Sequence, residues 1–221
     1  MLLRQYLDFL VSKSQGASAA EIAIRLIEEG DPATDVPRIL SAINQLVADQ
    51  DGVSAKEIWA TLIAKHWVIA DSGSPNNPKF TREPLPVRFD WTLSSNSNVQ
   101  SVPGPSGLET EFSGLEPDQC SIAEQSVALV PGNYEMDFTY RTQGIAPATG
   151  LQWQIAGANA TKLLAKSSDL SSDALTHAKM MFSVPRGISL ADLRLMYQRV
   201  VGTPPISGYV VVSSVQIHAV P

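Results

Sequence analysis

The spacing of apolar residues changes once along this chain, and that change restricts the fold more than any other feature. In the first 70 residues the apolar positions recur at helical spacing: Leu3, Tyr6, Leu7, Leu10 and Val11; Ile22, Ala23, Leu26 and Ile27; Ile39, Leu40, Ile43, Leu46 and Val47; Ile58, Leu62 and Ile63. Further on they alternate. Tyr134, Met136, Phe138 and Tyr140 interleave with Glu135, Asp137, Thr139 and Arg141. Leu151, Trp153 and Ile155 interleave with Gln152 and Gln154, and Leu193, Leu195 and Tyr197 with Arg194, Met196 and Gln198. A period near 3.6 buries one stripe of a helix, and a period of about 2 buries one face of a sheet. The chain is therefore expected to hold two kinds of module, with the Ser-, Asn- and Pro-rich residues 71–86 as an irregular linker.

The helical part carries an internal similarity. Ser18-Ala19-Ala20-Glu21 and Ser54-Ala55-Lys56-Glu57 both read as capping boxes, in which a hydroxyl takes the amide three residues on and the glutamate reaches back. They lie 36 positions apart, and at that offset Gly16 aligns with Gly52, Ile22 with Ile58, Leu26 with Leu62, Leu7 with Ile43 and Leu10 with Leu46. This reads as a two-helix unit present twice, with two unrelated hairpins as the alternative. The period is close to that of tetratricopeptide arrays, whose aromatic and glycine signature is missing. Two copies fall short of the roughly three that such arrays need. The module is thus expected to pack on the next domain, through Trp59 or Trp67, or to end a longer array.

The remainder reads as an antiparallel β-sandwich of eight to ten strands. Besides the alternating runs, strands are expected near 87–93, 107–112, 120–129, 162–166, 177–184 and 209–220, with turns at Pro131-Gly132-Asn133 and Pro204-Pro205. The fold class is α+β and multidomain: a small all-α module over 1–70, a linker over 71–86 and a sandwich of jelly-roll type over 87–221.

Composition excludes several functions. Only 17% of the 221 residues are charged and the net charge is −6, with no basic stripe for nucleic acid. Cys120 is the single cysteine, so no intrachain disulfide forms, and with no histidine or lysine near it in sequence it reads as a buried thiol. His66, His177 and His218 stand at no metal-ligand spacing, and no Gly-rich phosphate loop or nucleophile elbow is present, so no metal or cofactor is expected. No run reaches the ~20 apolar residues of a membrane span, and Arg4, Gln5 and Asp8 interrupt any N-terminal signal, so direct membrane insertion is not expected.

The polar face of residues 134–141 is the leading binding candidate, with Asp137 and Arg141 as hydrogen-bonding groups and Tyr140 and Trp153 as flat apolar surfaces. Tyr140 and Trp153 share the phase of the apolar face, which favours the core for both. Arg194 and Arg199 flank Tyr197 and either line a cleft or make surface ion pairs. Glu135 and Asp137 stand ~7 Å apart on one strand face, within range for a glycosidase pair, although such a pair more often belongs to a solvated face.

Val130-Pro131-Gly132-Asn133-Tyr134-Glu135-Met136-Asp137-Phe138, then Phe182-Ser183-Val184-Pro185, Leu193-Arg194-Leu195 and Gly208-Tyr209-Val210-Val211-Val212, resemble galactose-binding-like carbohydrate-binding modules in order and spacing. The helical pair ending near Glu57-Ile58-Trp59, the Phe89-Asp90-Trp91 motif, Arg141-Thr142-Gln143-Gly144-Ile145 and Gly150-Leu151-Gln152-Trp153 resemble the C-terminal domains of bacterial helical-repeat proteins linked to envelope or exopolysaccharide production. The resemblance implies an extracytoplasmic envelope setting. The paired Asp or Asn that often hold a structural calcium in such modules are replaced by Ser213-Ser214. The expected function is non-catalytic binding of a polysaccharide or protein partner. A purely structural cap and a carbohydrate-active hydrolase accessory domain are the alternatives.

Overall fold

The computed structural model describes residues 2–71, 73–95, 98–157 and 163–221; Lys162, expected in a strand, lies outside them. Four helices come first: α1 (Leu2–Ser12), α2 (Gly16–Glu29), α3 (Pro32–Ala48) and α4 (Gly52–Ala64). Ten strands follow among the described residues: β1 (Thr92–Leu93), β2 (Val99–Gly104), β3 (Gly107–Ser113), β4 (Gln119–Ala128), β5 (Gly132–Gln143), β6 (Leu151–Gly157), β7 (Leu163–Lys166), β8 (Thr176–Val184), β9 (Leu190–Gln198) and β10 (Ser207–Val220). They form two five-stranded antiparallel sheets, β1-β4-β9-β6-β7 and β2-β3-β10-β5-β8, stacked face to face. The expected strand 87–93 shrinks to Thr92–Leu93, and Val99–Gly104 is a strand that the alternation did not predict.

The two helical hairpins close in the same way, 36 residues apart. Gln15 N donates to Leu10 O at 3.1 Å and Asp51 N to Leu46 O at 2.8 Å. Ser14 N reaches Val11 O and Gln50 N reaches Val47 O, each across a residue in the left-handed region, Ser14 at φ 52° and Gln50 at φ 64°. The capping boxes do not form. Both helices start three residues earlier than those boxes require, at Gly16 and Gly52, so Ser18 and Ser54 fall inside the first turn. Asp51 caps α4 instead, its carboxylate accepting from Ser54 N at 3.1 Å, while Gln15 gives α2 no side-chain cap. A carboxylate placed one residue before the helix outcompetes a hydroxyl that lies within it.

The hairpins join through an apolar seam edged by ion pairs. Arg4 is bidentate on the buried Asp35, Nε to Oδ1 at 2.6 Å and Nη2 to Oδ2 at 3.0 Å, and Asp8 pairs with Arg38. The helical core is not closed by helices alone. Leu7, Leu10, Ile39, Ile43, Ile58, Trp59 and Leu62 cluster with Val87, Phe89 and Leu190, and the rings of Trp59 and Phe89 stand 6.2 Å apart. At the contact, a Cβ on Gly52 would lie 2.5 Å from Leu190 Cγ, so α4 starts where only glycine lets a helix approach the sheet this closely.

The described residues of 71–86 form no helix or strand, and they are bound to the sandwich. Phe80 is in the sandwich core, 4.8 Å from the ring of Trp91. Gln125 clasps the backbone of Asn76, accepting from its N at 2.7 Å and donating to its O at 3.0 Å. Val215 N donates to Pro78 O and Ile217 N to Ser74 O, so the segment runs along β10. The buried Asp90 takes Arg82 Nη1 at 2.6 Å and Leu85 N at 3.0 Å. Local composition gives no sign of this, because the partners are distant in sequence.

Two outcomes follow. A fragment of residues 1–70 lacks Val87, Phe89 and Leu190 and is expected to show no cooperative thermal transition by circular dichroism; a sharp transition would show that the junction is dispensable. The Arg4 guanidinium holds the Asp35 carboxyl below its ordinary pKa. A native pKa lowered in this way stabilises the fold above the ordinary carboxylate value, and that stability is lost as pH falls through the lowered one. Melting curves are expected to drop in acid below about pH 4, with Asp35→Asn less stable at neutral pH and its acid limb flatter.

Candidate functional site

The sequence candidates do not converge on one place. Tyr140 and Trp153 are core residues, packed around Phe138 and, for Trp153, Trp91 as well. As platforms for a ligand both are corrected by the structure: alternation points them between the sheets. Asp137 and Arg141 lie on the outward face of the β2-β3-β10-β5-β8 sheet. There Lys179 Nζ sits 2.6 Å from Glu135 and 3.3 Å from Asp137, and His218 Nε2 is 3.5 Å from Asp137. Both candidate acids are thus engaged with one ammonium, and that pairing raises the Lys179 pKa. Arg199 belongs to neither face. It is pinned at a loop by two bonds to Thr203 O, at 2.8 and 2.7 Å, and by Asp118 at 3.1 Å.

Arg194 lies on the outward face of the other sheet, and that face is unusual. Outward residues of a flat sheet are normally open to water, yet here Gln152 is 9% exposed, Gln154 8%, Met196 8% and Asp192 0%. These outward side chains are buried against one another. Register explains the grouping: Gln154 and Glu124 are the cross-strand partners of Arg194, Gln152 pairs with Met196, and Ser126 pairs with Asp192. Three strands far apart in sequence therefore set two amides, two carboxylates and a guanidinium on one surface.

A polar network fixes this surface. Ser126 Oγ donates to Asp192 Oδ1 at 2.8 Å, and Arg194 Nη2 to Asp192 Oδ2 at 2.7 Å. Arg194 Nε lies 3.4 Å from Glu124 Oε1, and Arg88 Nη2 lies 3.3 Å from the same oxygen and 3.6 Å from Asp192 Oδ1. Arg88 also ties the modules together, its N donating to Asn44 Oδ1 on α3 at 2.7 Å and its O accepting from Ser126 N at 2.7 Å. Where the helices meet the sheet, a cleft of about 360 Å³ opens, lined by Trp59, Ile63, Phe89, Ser126, Val127 and Ala128 among others.

Sequence reasoning missed Arg88, Glu124, Gln152, Gln154 and Asp192. One signal was available: the residues interleaved with Leu151, Trp153 and Ile155 are glutamines, planar and uncharged, where a solvated strand more often carries charges. The remaining reactive group is quiet. Cys120 is half-buried, and burial followed by nearby Glu116 pushes its thiol up to about 11, so it stays protonated at neutral pH. Among the described residues no three His, Cys, Asp or Glu side chains group as metal ligands.

Because Asp192 anchors both guanidiniums from a fully buried position, Asp192→Ala is expected to lower stability by about 2 kcal/mol and to free Arg194. Chemical denaturation checks this, and a change below ~0.5 kcal/mol would mean the network is not structural.

No protein-family model matches the chain, and no curated protein matches it. Solved structures similar to it include carbohydrate-binding modules and the enzymatically active domain of a tailspike protein of bacteriophage CBA120. A CBM4 structure covers 66% of this chain and 100% of its own, at 14% identity and a TM-score of 0.50. The CBM22-1 xylan-binding domain from Paenibacillus barcinonensis covers 65% of this chain and 92% of its own, at 16% identity and a TM-score of 0.41. TmCBM61, solved in complex with β-1,4-galactotriose, covers 68% and 100%, at 12% identity and a TM-score of 0.42. At 14% identity the CBM4 likeness shows the fold alone, a β-sandwich.

Proposed function

We propose that the chain is a non-catalytic glycan-binding module, and that the glycan lies on the outward face formed by β4, β9 and β6. The observation that carries this reading is the set of outward side chains Gln152, Gln154, Glu124 and Arg194, grouped by strand register, with Arg194 held by the buried Asp192. Amides, carboxylates and guanidiniums are planar groups that take neighbouring sugar hydroxyls two at a time. An aromatic platform is missing from the three strands of this face, since Trp153 and Tyr197 point into the core. Recognition therefore rests on hydrogen bonds, with Met196 as the apolar surface. The envelope or exopolysaccharide setting belongs to the same proposal and rests on the sequence resemblance.

Arg141 and Asp137 on the opposite sheet form the second candidate surface. Affinity electrophoresis of the whole chain against a panel of soluble bacterial polysaccharides and plant glucans, xylans and galactans separates the two. Retardation by at least one polymer is expected, weakened roughly tenfold or more by Gln152→Ala with Gln154→Ala, a loss of about 1.4 kcal/mol, and unchanged by Arg141→Ala. Binding that is lost with Arg141→Ala and kept by the glutamine variant would move the site to the other face. No retardation at millimolar sugar concentration would end the glycan reading in favour of a structural cap.

A further inference from the structure

The cleft between α4 and the end of β4 has its own polar chemistry, although Ser126 also belongs to the network of the outward face. Its volume of about 360 Å³ falls at the small end of the usual range for small-molecule sites, about 300–1,000 Å³. It also opens where two modules meet, a common place for such sites. Trp59, Ile63, Phe89 and Val127 give it an apolar wall. One polar group at that wall is unmatched. Asn76 is 3% exposed and lines the cleft from the segment before the sandwich. Its Oδ1 accepts from Asp71 N at 2.8 Å and from Arg82 Nη2 at 2.8 Å, two donors that settle which end of the amide is the oxygen. Its Nδ2 is closed to bulk water and has no hydrogen-bond partner among the described residues. Buried donors are matched as a rule, because leaving one unmatched costs free energy. The neighbouring polar groups are already engaged: Ser126 Oγ donates to Asp192, and Gln125 binds both backbone groups of Asn76. The charged residues of the lining are Lys56 and Asp71, both exposed and of opposite sign, so the lining carries no net charge.

We infer that this cleft binds a small uncharged molecule with a flat apolar body and one carbonyl group, of the class of an aromatic amide, whose oxygen accepts from Asn76 Nδ2. Three observations decide the class. The wall is apolar and holds two aromatic side chains, Trp59 and Phe89, with rings 6.2 Å apart, so the body is apolar and ring-sized. The unmatched group is an amide nitrogen, which only donates, so the ligand brings the acceptor. The opposite charges of Lys56 and Asp71 favour neither an anion nor a cation. The bond forms with a small adjustment of the Asn76 amide, since that nitrogen is closed to water. A sugar fits less well, because its many hydroxyls would meet an apolar wall with one spare donor. The inference is independent of the glycan reading: Gln152, Gln154 and Arg194 do not line the cleft.

The test is proton–nitrogen correlation NMR of the whole chain, titrated with small probes. 3-Phenylpropanamide carries both the ring and the carbonyl. 3-Phenylpropionate and 3-phenylpropylamine carry the same ring on a negative and a positive head, and propanamide carries the head without the ring. The amide is expected to give saturable shifts at the Trp59 indole N–H and at the Asn76 side-chain amide, with a Kd of roughly a millimolar for a ligand so small. It is expected to bind about fivefold tighter than either charged probe, and propanamide is expected to leave both signals in place. Ala60→Phe puts a ring into the cleft from an exposed position on α4, and is expected to weaken amide binding about tenfold or more while the chain folds as before. Gln152→Ala with Gln154→Ala is expected to leave amide binding unchanged, which tells loss of this site from loss of the glycan face. Four outcomes overturn the inference: no saturable shift at about 10 mM amide, binding indifferent to Ala60→Phe, a charged probe bound as tightly as the amide, or shifts at Trp59 with none at the Asn76 amide.

Discussion

The contact of α4 and Phe89 with one end of the β4–β9 pair is the constraint on which the rest depends. Two hairpins of 11 to 17 residues per helix bury too little on their own, because two copies fall short of the roughly three that stacked helical units need. The sandwich supplies the missing wall. Ala128 and Leu190, outward-facing at the end of their strands, give the helices an apolar landing, and Gly52 removes the side chain that would hold α4 away. The same contact shapes the site. It closes one end of the outward sheet face and draws Arg88 across to Glu124 and Asp192, with Asn44 of α3 fixing its backbone.

The segment before the sandwich shows why a polar stretch can be structural. Asn76, Asn77 and Asp90 are buried, and burying polar groups costs free energy unless each is matched. Most of the matches are made: Asn77 takes Thr81 N and donates to Arg82 O, Trp91 Nε1 donates to Asn77 O, and Gln125 binds both backbone groups of Asn76. Such a network fixes a single conformation where apolar packing alone would tolerate several. It also lets Phe89-Asp90-Trp91 serve three purposes in three residues: Phe89 for the helices, Asp90 for the loop, Trp91 for the sandwich core.

The parts of the fold that were legible in the sequence are those set by local period. Met136, Phe138, Tyr140, Leu151, Trp153, Leu193 and Leu195 alternate and are buried, because pleating alone decides which side they take. Helix starts were misread at Ser18 and Ser54, where a plausible capping pattern lost to the chain geometry at Gln15 and Asp51. The strand at Val99–Gly104 carries Ser101, Pro103 and Gly104, which hide its alternation. The site was legible only at Arg194. Its partners Glu124 and Gln154 lie 70 and 40 positions earlier, and only the register of β4, β9 and β6 brings them together. Non-local pairing of this kind leaves no trace in spacing.

The two outward faces differ in how their charges are held. On the β5–β8 side, Lys179 is 65% exposed and bridges two carboxylates, an arrangement in water that contributes little and leaves each group mobile. On the β4–β9 side the carboxylate at the centre has no contact with water, and its cost of burial is offset by a hydroxyl and two guanidiniums. Those guanidiniums cannot leave without exposing Asp192 to an apolar surrounding, so their planes are fixed before any ligand arrives. Arg88 and Arg194 are balanced by Glu124 and Asp192, which leaves this network without net charge but rich in oriented donors. A surface of that kind holds a partner through directional hydrogen bonds at low ordering cost, and long-range attraction contributes little. That combination suits a neutral hydroxyl-bearing ligand better than an anionic one.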